Sequence, residues 1–119
     1  MTGACFASTD PEKGKLEQTS FVGTCLDRAN FQGVDMQRSD LSAASMINAN
    51  FSSANLYGAN LSGAIAHNAQ FRKAILTNAS LEKIDLREGS LAKAHMTGAN
   101  ISGANLYAVD FLRSTMGDT

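Results

Sequence analysis

An apolar residue, nearly always a large one, returns at every fifth position of this chain, without a gap, from Leu16 to Met116. The series runs Leu16, Phe21, Leu26, Phe31, Met36, Leu41 and onward through Phe71, Leu91 and Phe111; all 21 members are hydrophobic and 20 are large, Ala66 being the small one. In a chain that is 44% hydrophobic, such a run has a chance probability on the order of 10⁻⁷. A period of five matches neither the helix repeat of about 3.6 nor the strand alternation of about two. Each pentad is therefore a short extended piece followed by a corner.

The neighbouring positions keep the same clock. Two residues before each centre, 12 of 21 positions are Ala and six more are Gly, Ser or Thr; one residue before it, 10 of 21 are Asn or Asp. Residues two apart in an extended piece point the same way, so the small residue and the large centre face inward and the Asn or Asp between them faces out. Both inward residues are buried only if the chain winds a coil around a central axis. Asn, Asp, Ser and Gly at the remaining sites suit the corners, through side-chain bonds to nearby backbone or tolerance of positive φ. Phe31, Phe51, Phe71 and Phe111 share one 20-residue phase, with Leu91 completing the column. That points to four pentads per coil, hence about five coils from residue 14 to the end, and a prism roughly 25 Å long at a rung spacing of about 4.8 Å.

Runs such as Ala54-Asn55-Leu56-Tyr57-Gly58, Ala59-Asn60-Leu61-Ser62-Gly63 and Ala104-Asn105-Leu106-Tyr107-Ala108 resemble the pentapeptide-repeat family, over nearly the whole chain. The resemblance implies an all-β fold, a right-handed quadrilateral β-helix solenoid with the Leu and Phe centres stacked inside. It does not imply one activity, because members share the coil and the repeat residues are structural. Departures from the pattern occur at Ala64-Ile65-Ala66-His67. Kept in register, Ala66 leaves a void in the core; a local slip that turns Ile65 inward is the alternative. Val34, Ile84 and Val109 overfill small positions, which predicts a wider coil at those corners.

Composition narrows the function classes. Ten Lys and Arg against 11 Asp and Glu give a net charge of −1, which speaks against a broadly basic nucleic-acid binder and against an acidic surface that imitates duplex DNA. No apolar run of about 18 residues and no signal peptide is readable, so the expected setting is cytoplasmic, with secretion by a signal-independent route left open. Neither a metal-ligand set nor a cofactor motif occurs, and Gly14-Lys15-Leu16 lacks the features of a phosphate loop. His67 and His95 fall on different faces and read as solvated residues, so no enzyme is expected. The Asn-x-Ser strings at Asn50, Asn60, Asn78 and Asn100 are by-products of the repeat.

Sorting charges by face is more informative. The face with the Phe centres carries Arg72, Lys73, Lys93 and Arg113 against Asp110, a sum of +3, while the other faces each sum to −1. Lys73, Lys93 and Arg113 are spaced by 20 residues and form a vertical ladder about 4.8 Å apart at the backbone. Stacked like charges repel, so this ladder is either a rim splayed into water or a surface for an anionic partner. A second outward column holds Asp27, Ile47, His67, Arg87 and Tyr107, with Tyr57 on another face.

The ends need covering, because a β-helix exposes strand edges there. Residues 1–13, with Phe6 in phase but Pro11 at a centre, are expected to form an N-terminal lid or distorted partial coil ahead of a β-helix over 14–119. Cys5 and Cys25 are 20 apart and would lie on adjacent rungs if the register reaches that far. At the other end no capping helix follows Met116, which predicts a homodimer through an open coil end or a module of a longer protein. The expected function is a non-catalytic rigid scaffold that binds a protein partner. A repeat module of a larger bacterial secretion- or membrane-associated protein is one alternative; a DNA-mimic regulator of a DNA topoisomerase is another, disfavoured by charge.

Overall fold

Every described pentad takes the same course in a computed structural model that describes residues 16–115. The expected lid over 1–13, the register of Phe6 and Pro11, and Met116 lie outside the described residues. Cys25 is disulfide-bonded, and the only other cysteine of the sequence, Cys5, is also outside them.

A turn follows each centre. The N–H three residues on donates back to the carbonyl of the centre, as Ala54 does to Phe51 (3.0 Å) and Ala74 to Phe71 (3.0 Å). The second central residue of every such turn has φ between 57° and 75°, the pattern of a type II turn. Gly23, Gly63 and Gly103 meet this demand in one column, but Ala43 (φ 58°) and Lys83 (φ 59°) sit between them. A left-handed backbone disfavours residues with a Cβ by about 1–2 kcal/mol, so most corners are held by the coil around them.

Since the turn consumes most of each pentad, only one residue per pentad pairs with the next rung. The expected extended pieces thus reduce to isolated parallel bridges, always between residues 20 apart: Asn30 with Asn50, Asn50 with Gln70, Gln70 with Ser90, Ser90 with Asp110. Four pentads complete one coil, and residues 16–115 make five (100/20). Around each bridge the centre N–H donates upward, as Phe51 does to the carbonyl of Gln70 (2.7 Å), and the bridging N–H donates downward, as Gln70 does to Ala49 (2.9 Å). The second turn residue also donates upward, as Ser53 does to Arg72 (2.8 Å).

These bonds use four of the five backbone N–H groups in a pentad. The fifth, just after the centre, is satisfied by the Asn or Asp just before it. Ser52 N–H donates to Asn50 Oδ1 (2.9 Å), Ser62 to Asn60 (3.0 Å), Ser102 to Asn100 (3.0 Å) and Leu112 to Asp110 (2.9 Å). This is the physical reason for Asn and Asp at that position. Where Ser45 stands there instead, Asp27 of the coil below accepts from both the Ile47 N–H (2.9 Å) and the Ser45 hydroxyl (2.6 Å). Replacing Asn60 with Ala leaves the Ser62 N–H without its acceptor; the expected loss is about 1 kcal/mol, read as a lower urea midpoint. No change would mean that water satisfies that group equally well.

The core is the stack of centres and small residues. Phe31, Phe51 and Phe71 lie nearly parallel with centroids 5.2 and 5.1 Å apart, a stacking set by the rung spacing and within the range of favourable aromatic pairs. Phe21 meets Phe31 edge-on at 6.1 Å. Leu91 is buried in the same column, and Phe111, in the last described coil, is half-buried. At the irregular pentad the register holds: Ala66 is fully buried, while Ile65 is 44% exposed and bridges Ser45 and Asp85. The slip does not occur because it would break both ladder contacts and turn every neighbour over. Val34 and Ile84 are buried at small positions. Ser39 also faces inward, and its hydroxyl finds no partner among the described residues, a cost that Ala there would avoid.

Candidate partner-binding face

Two of the five residues in a pentad, those after the centre, project from the corner into solvent. On the face with the Phe stack these positions hold Arg72 and Lys73 in one coil, Ala92 and Lys93 in the next, Leu112 and Arg113 in the last described one, Ala92 alone being buried. The backbone fixes their stacking: Lys73 N–H donates to the Ala92 carbonyl (2.9 Å) and Lys93 N–H to the Leu112 carbonyl (2.8 Å). Arg72, Lys73 and Arg113 are exposed and Lys93 is half-buried. None of the four forms an ion pair with a described residue. The carboxylate on this face, Asp110, is turned to the Leu112 N–H instead.

The ladder residues also occupy strained backbone. Lys73, Lys93 and Arg113 have φ of 62°, 59° and 59°. The lower rungs of the same column hold Gly33 and Ser53, and the next face carries Gly58, Asn78 and Gly98 at this position. Here three successive rungs carry cations instead. Two costs coincide in this column, the left-handed backbone and the repulsion of stacked like charges.

In the second outward column His67, which the sequence reads as solvated, meets charged partners. Asp85, the bridging residue one rung above Ile65, accepts from Arg87 Nε at Oδ1 (2.9 Å) and from Arg87 Nη2 at Oδ2 (2.9 Å), and His67 Nε2 lies 2.8 Å from the same Oδ2. His67 Nε2 is also 2.8 Å from Arg87 Nη2. One nitrogen cannot donate to Asp85 and accept from Arg87 together, so the histidine tautomer selects between the two partners. The expectation of a simply solvated His67 is corrected on this point. Asp85 and Arg87 are two residues apart, but His67 stands 18 and 20 residues from them, a proximity invisible until the coil closes at 20. A shallow cleft beside the cluster is lined by His67, Asn68, Arg87 and Glu88. His95, on another face, is exposed.

The Arg87 guanidinium, with a smaller contribution from His67, lowers the Asp85 carboxyl from 3.8 to about 2, against the opposing effect of partial burial. The folded value lies below the unfolded one, so the contribution to stability is fully present above about pH 4 and is lost as pH falls through about 2. Urea melts of the protein and of Asp85→Asn should differ at pH 5 and converge toward pH 2. A difference that persists unchanged at pH 2 would show that the carboxylate charge is not what matters.

Of the two tyrosines, Tyr57 is pinned: the Arg38 guanidinium lies 5.8 Å from its ring centroid and Asn78 Nδ2 donates to its hydroxyl (3.2 Å). Tyr107 is 72% exposed and Leu112 63% exposed, the most exposed large apolar side chains among the described residues. No described group of His, Cys, Asp and Glu residues is placed to hold a metal ion, and no described helix is long and apolar enough to cross a membrane.

A family model for pentapeptide repeats, in eight copies, matches residues 24–63, 54–91 and 74–112. A pentapeptide repeat protein from the Arabidopsis thaliana thylakoid lumen is 27% identical, covering 90% of this chain and 71% of that one, with a TM-score of 0.63. The pentapeptide repeat protein Rfr23 from the cyanobacterium Cyanothece 51142 is 22% identical over 92% of this chain and 89% of that one, with a TM-score of 0.69. Trypsin-treated QnrB1, a plasmid-mediated fluoroquinolone resistance protein, is 21% identical over 96% of this chain and 77% of that one, with a TM-score of 0.59. No curated protein matches the chain.

Proposed function

Since the chain belongs to the pentapeptide-repeat family, whose members fold as right-handed quadrilateral β-helices, we propose that it is a non-catalytic rigid scaffold that binds a protein partner through its outer faces. The inward positions are committed to the core, as the full burial of Phe51, Leu56, Leu61 and Phe71 indicates, so recognition falls to the corners. The observation that carries this reading is the strip of Arg72, Lys73, Lys93 and Arg113, which has no ion-pair partner among the described residues. A column that combines backbone strain with like-charge repulsion is offset most simply by an anionic surface laid against it.

Self-association through the last described coil is a second part of the reading. Ile101, Leu106 and Phe111 are half-buried there, whereas Leu61, Ala66 and Phe71 in the middle of the prism are fully buried. Sedimentation at several concentrations tests it: a dimer supports pairing of two copies, and a monomer at all concentrations dismisses it. The similarity to QnrB1 concerns the fold, and a basic strip does not favour imitation of DNA.

The strip is tested with poly-L-glutamate, an anionic chain of no particular conformation, by calorimetric titration of the whole protein at low salt. Binding should weaken about tenfold when Lys73, Lys93 and Arg113 are all replaced by Ser, since three exposed ion pairs of modest strength are removed. Circular dichroism should show the coil intact, because the three side chains lie outside the core. Equal binding by the protein and the triple variant would dismiss the strip as a site.

A further inference from the structure

The strip has a spacing as well as a sign, and the spacing selects a partner conformation. Resting on the anionic-partner reading above, we infer that the strip receives an acidic amphipathic α-helix lying parallel to the coil axis. The three ladder cations sit on successive rungs, so their backbones span two rung steps, about 9.6 Å. Carboxylates on one face of a helix repeat each turn, and two turns cover about 10.8 Å. Same-side residues of an extended peptide advance by about 6.7 Å, so two such steps cover about 13 Å. A helix thus stays within about 1 Å of the ladder over three ion pairs, which the flexible lysine and arginine stems absorb without splaying. An extended segment drifts by nearly 4 Å over the same three pairs.

The neighbouring column explains why the helix should be amphipathic. One residue before each ladder cation stand Arg72, Ala92 and Leu112. Ala92 is buried, 1% exposed, and Leu112 is 63% exposed. The Ala92 methyl is covered and offers no contact, whereas the exposed Leu112 offers an apolar contact beside Arg113. The carboxylate ridge of the helix would follow Lys73, Lys93 and Arg113, with an apolar residue of the helix against Leu112. Paired in this way, the cations no longer repel one another unopposed.

Fluorescence anisotropy at low salt, with the full chain, separates the possibilities. The probes are a peptide of about four turns with Glu at one-turn intervals beside Leu, held helical by a staple; the same composition with prolines that forbid a helix; and a short DNA duplex. The stapled peptide should bind about tenfold more tightly than the proline peptide, weaken as salt rises, and lose about tenfold in the K73S, K93S, R113S triple variant. If the proline peptide binds as well or better, with the same dependence on the three cations, the helix is wrong and the anionic-partner reading stands. If neither peptide binds, or the triple variant binds both unchanged, the helix and the strip fall together. Tighter binding of the duplex than of either peptide would reassign the strip to nucleic acid and overturn the inference.

Discussion

Phe71→Asp is expected to abolish cooperative folding. Phe71 is fully buried at the middle of the prism, stacked on Phe51 with centroids 5.1 Å apart and nearly parallel rings. Removing a buried phenylalanine side chain costs about 3–5 kcal/mol, and a carboxylate placed among apolar groups adds several more or is forced to stay protonated. Together these approach or exceed the roughly 5–15 kcal/mol that hold a domain of this size. The site is also the worst placed for damage, because each coil of a solenoid is supported by those on either side of it. The far-ultraviolet circular dichroism of the variant should lack the native spectrum and show no melting transition. Phe71→Leu is the control: Leu91 already fills the same column one coil on and is buried, so that variant should fold with a loss of about 1 kcal/mol. A native melt for Phe71→Asp would contradict the inward stack itself.

Overfilling a small inward position should be the next most damaging change. Ala74 is fully buried in a column with Val34, Ala54 and Ala94. Its N–H closes the turn on Phe71 and its carbonyl accepts from the Ile75 ladder partner's rung, His95 (2.9 Å), so the backbone there cannot retreat without losing bonds on both sides. Ala74→Leu should lower stability by about 1–3 kcal/mol while the protein still folds. Ala74→Val should cost less, since Val34 is accommodated in the same column at 1% exposure. Urea denaturation would measure both. Equal stability of Ala74→Leu and the parent would mean that the coil has space beside the small residues, contrary to close packing.

The parts of the fold that could be read in advance are those written within one pentad. Ala, Asn or Asp, and a large apolar centre recur because the small residue, the N–H acceptor and the core residue are each needed once per corner. The tetragonal count was readable from the Phe column alone, and the bridges between residues 20 apart bear it out. The turn was not: an extended piece and a corner were expected, but the type II turn takes up the pentad and leaves one bridging residue. Positive φ at Lys73, Glu88 and Arg113 has no local signature, because those residue types do not favour that region and only the closed coil places them there.

The surface divides in the same way. Arg72, Lys73, Lys93 and Arg113 could be assigned to one face as soon as the coil length was set. The cluster of His67, Asp85 and Arg87 could not, since it depends on which rotamers reach across a rung: Asp85 lies on the coil above His67, 18 residues away. Likewise Asp27 serves the N–H of Ile47 from the coil below. By itself the sequence determined the coil, its inward and outward positions and the column that carries the basic strip, because these follow from a period that each pentad satisfies locally. Only the tertiary structure decided the register at Ala66, the handed-over hydrogen bonds between rungs and the placing of His67 against Asp85, because those energies exist only between residues that the coil brings from one turn onto the next.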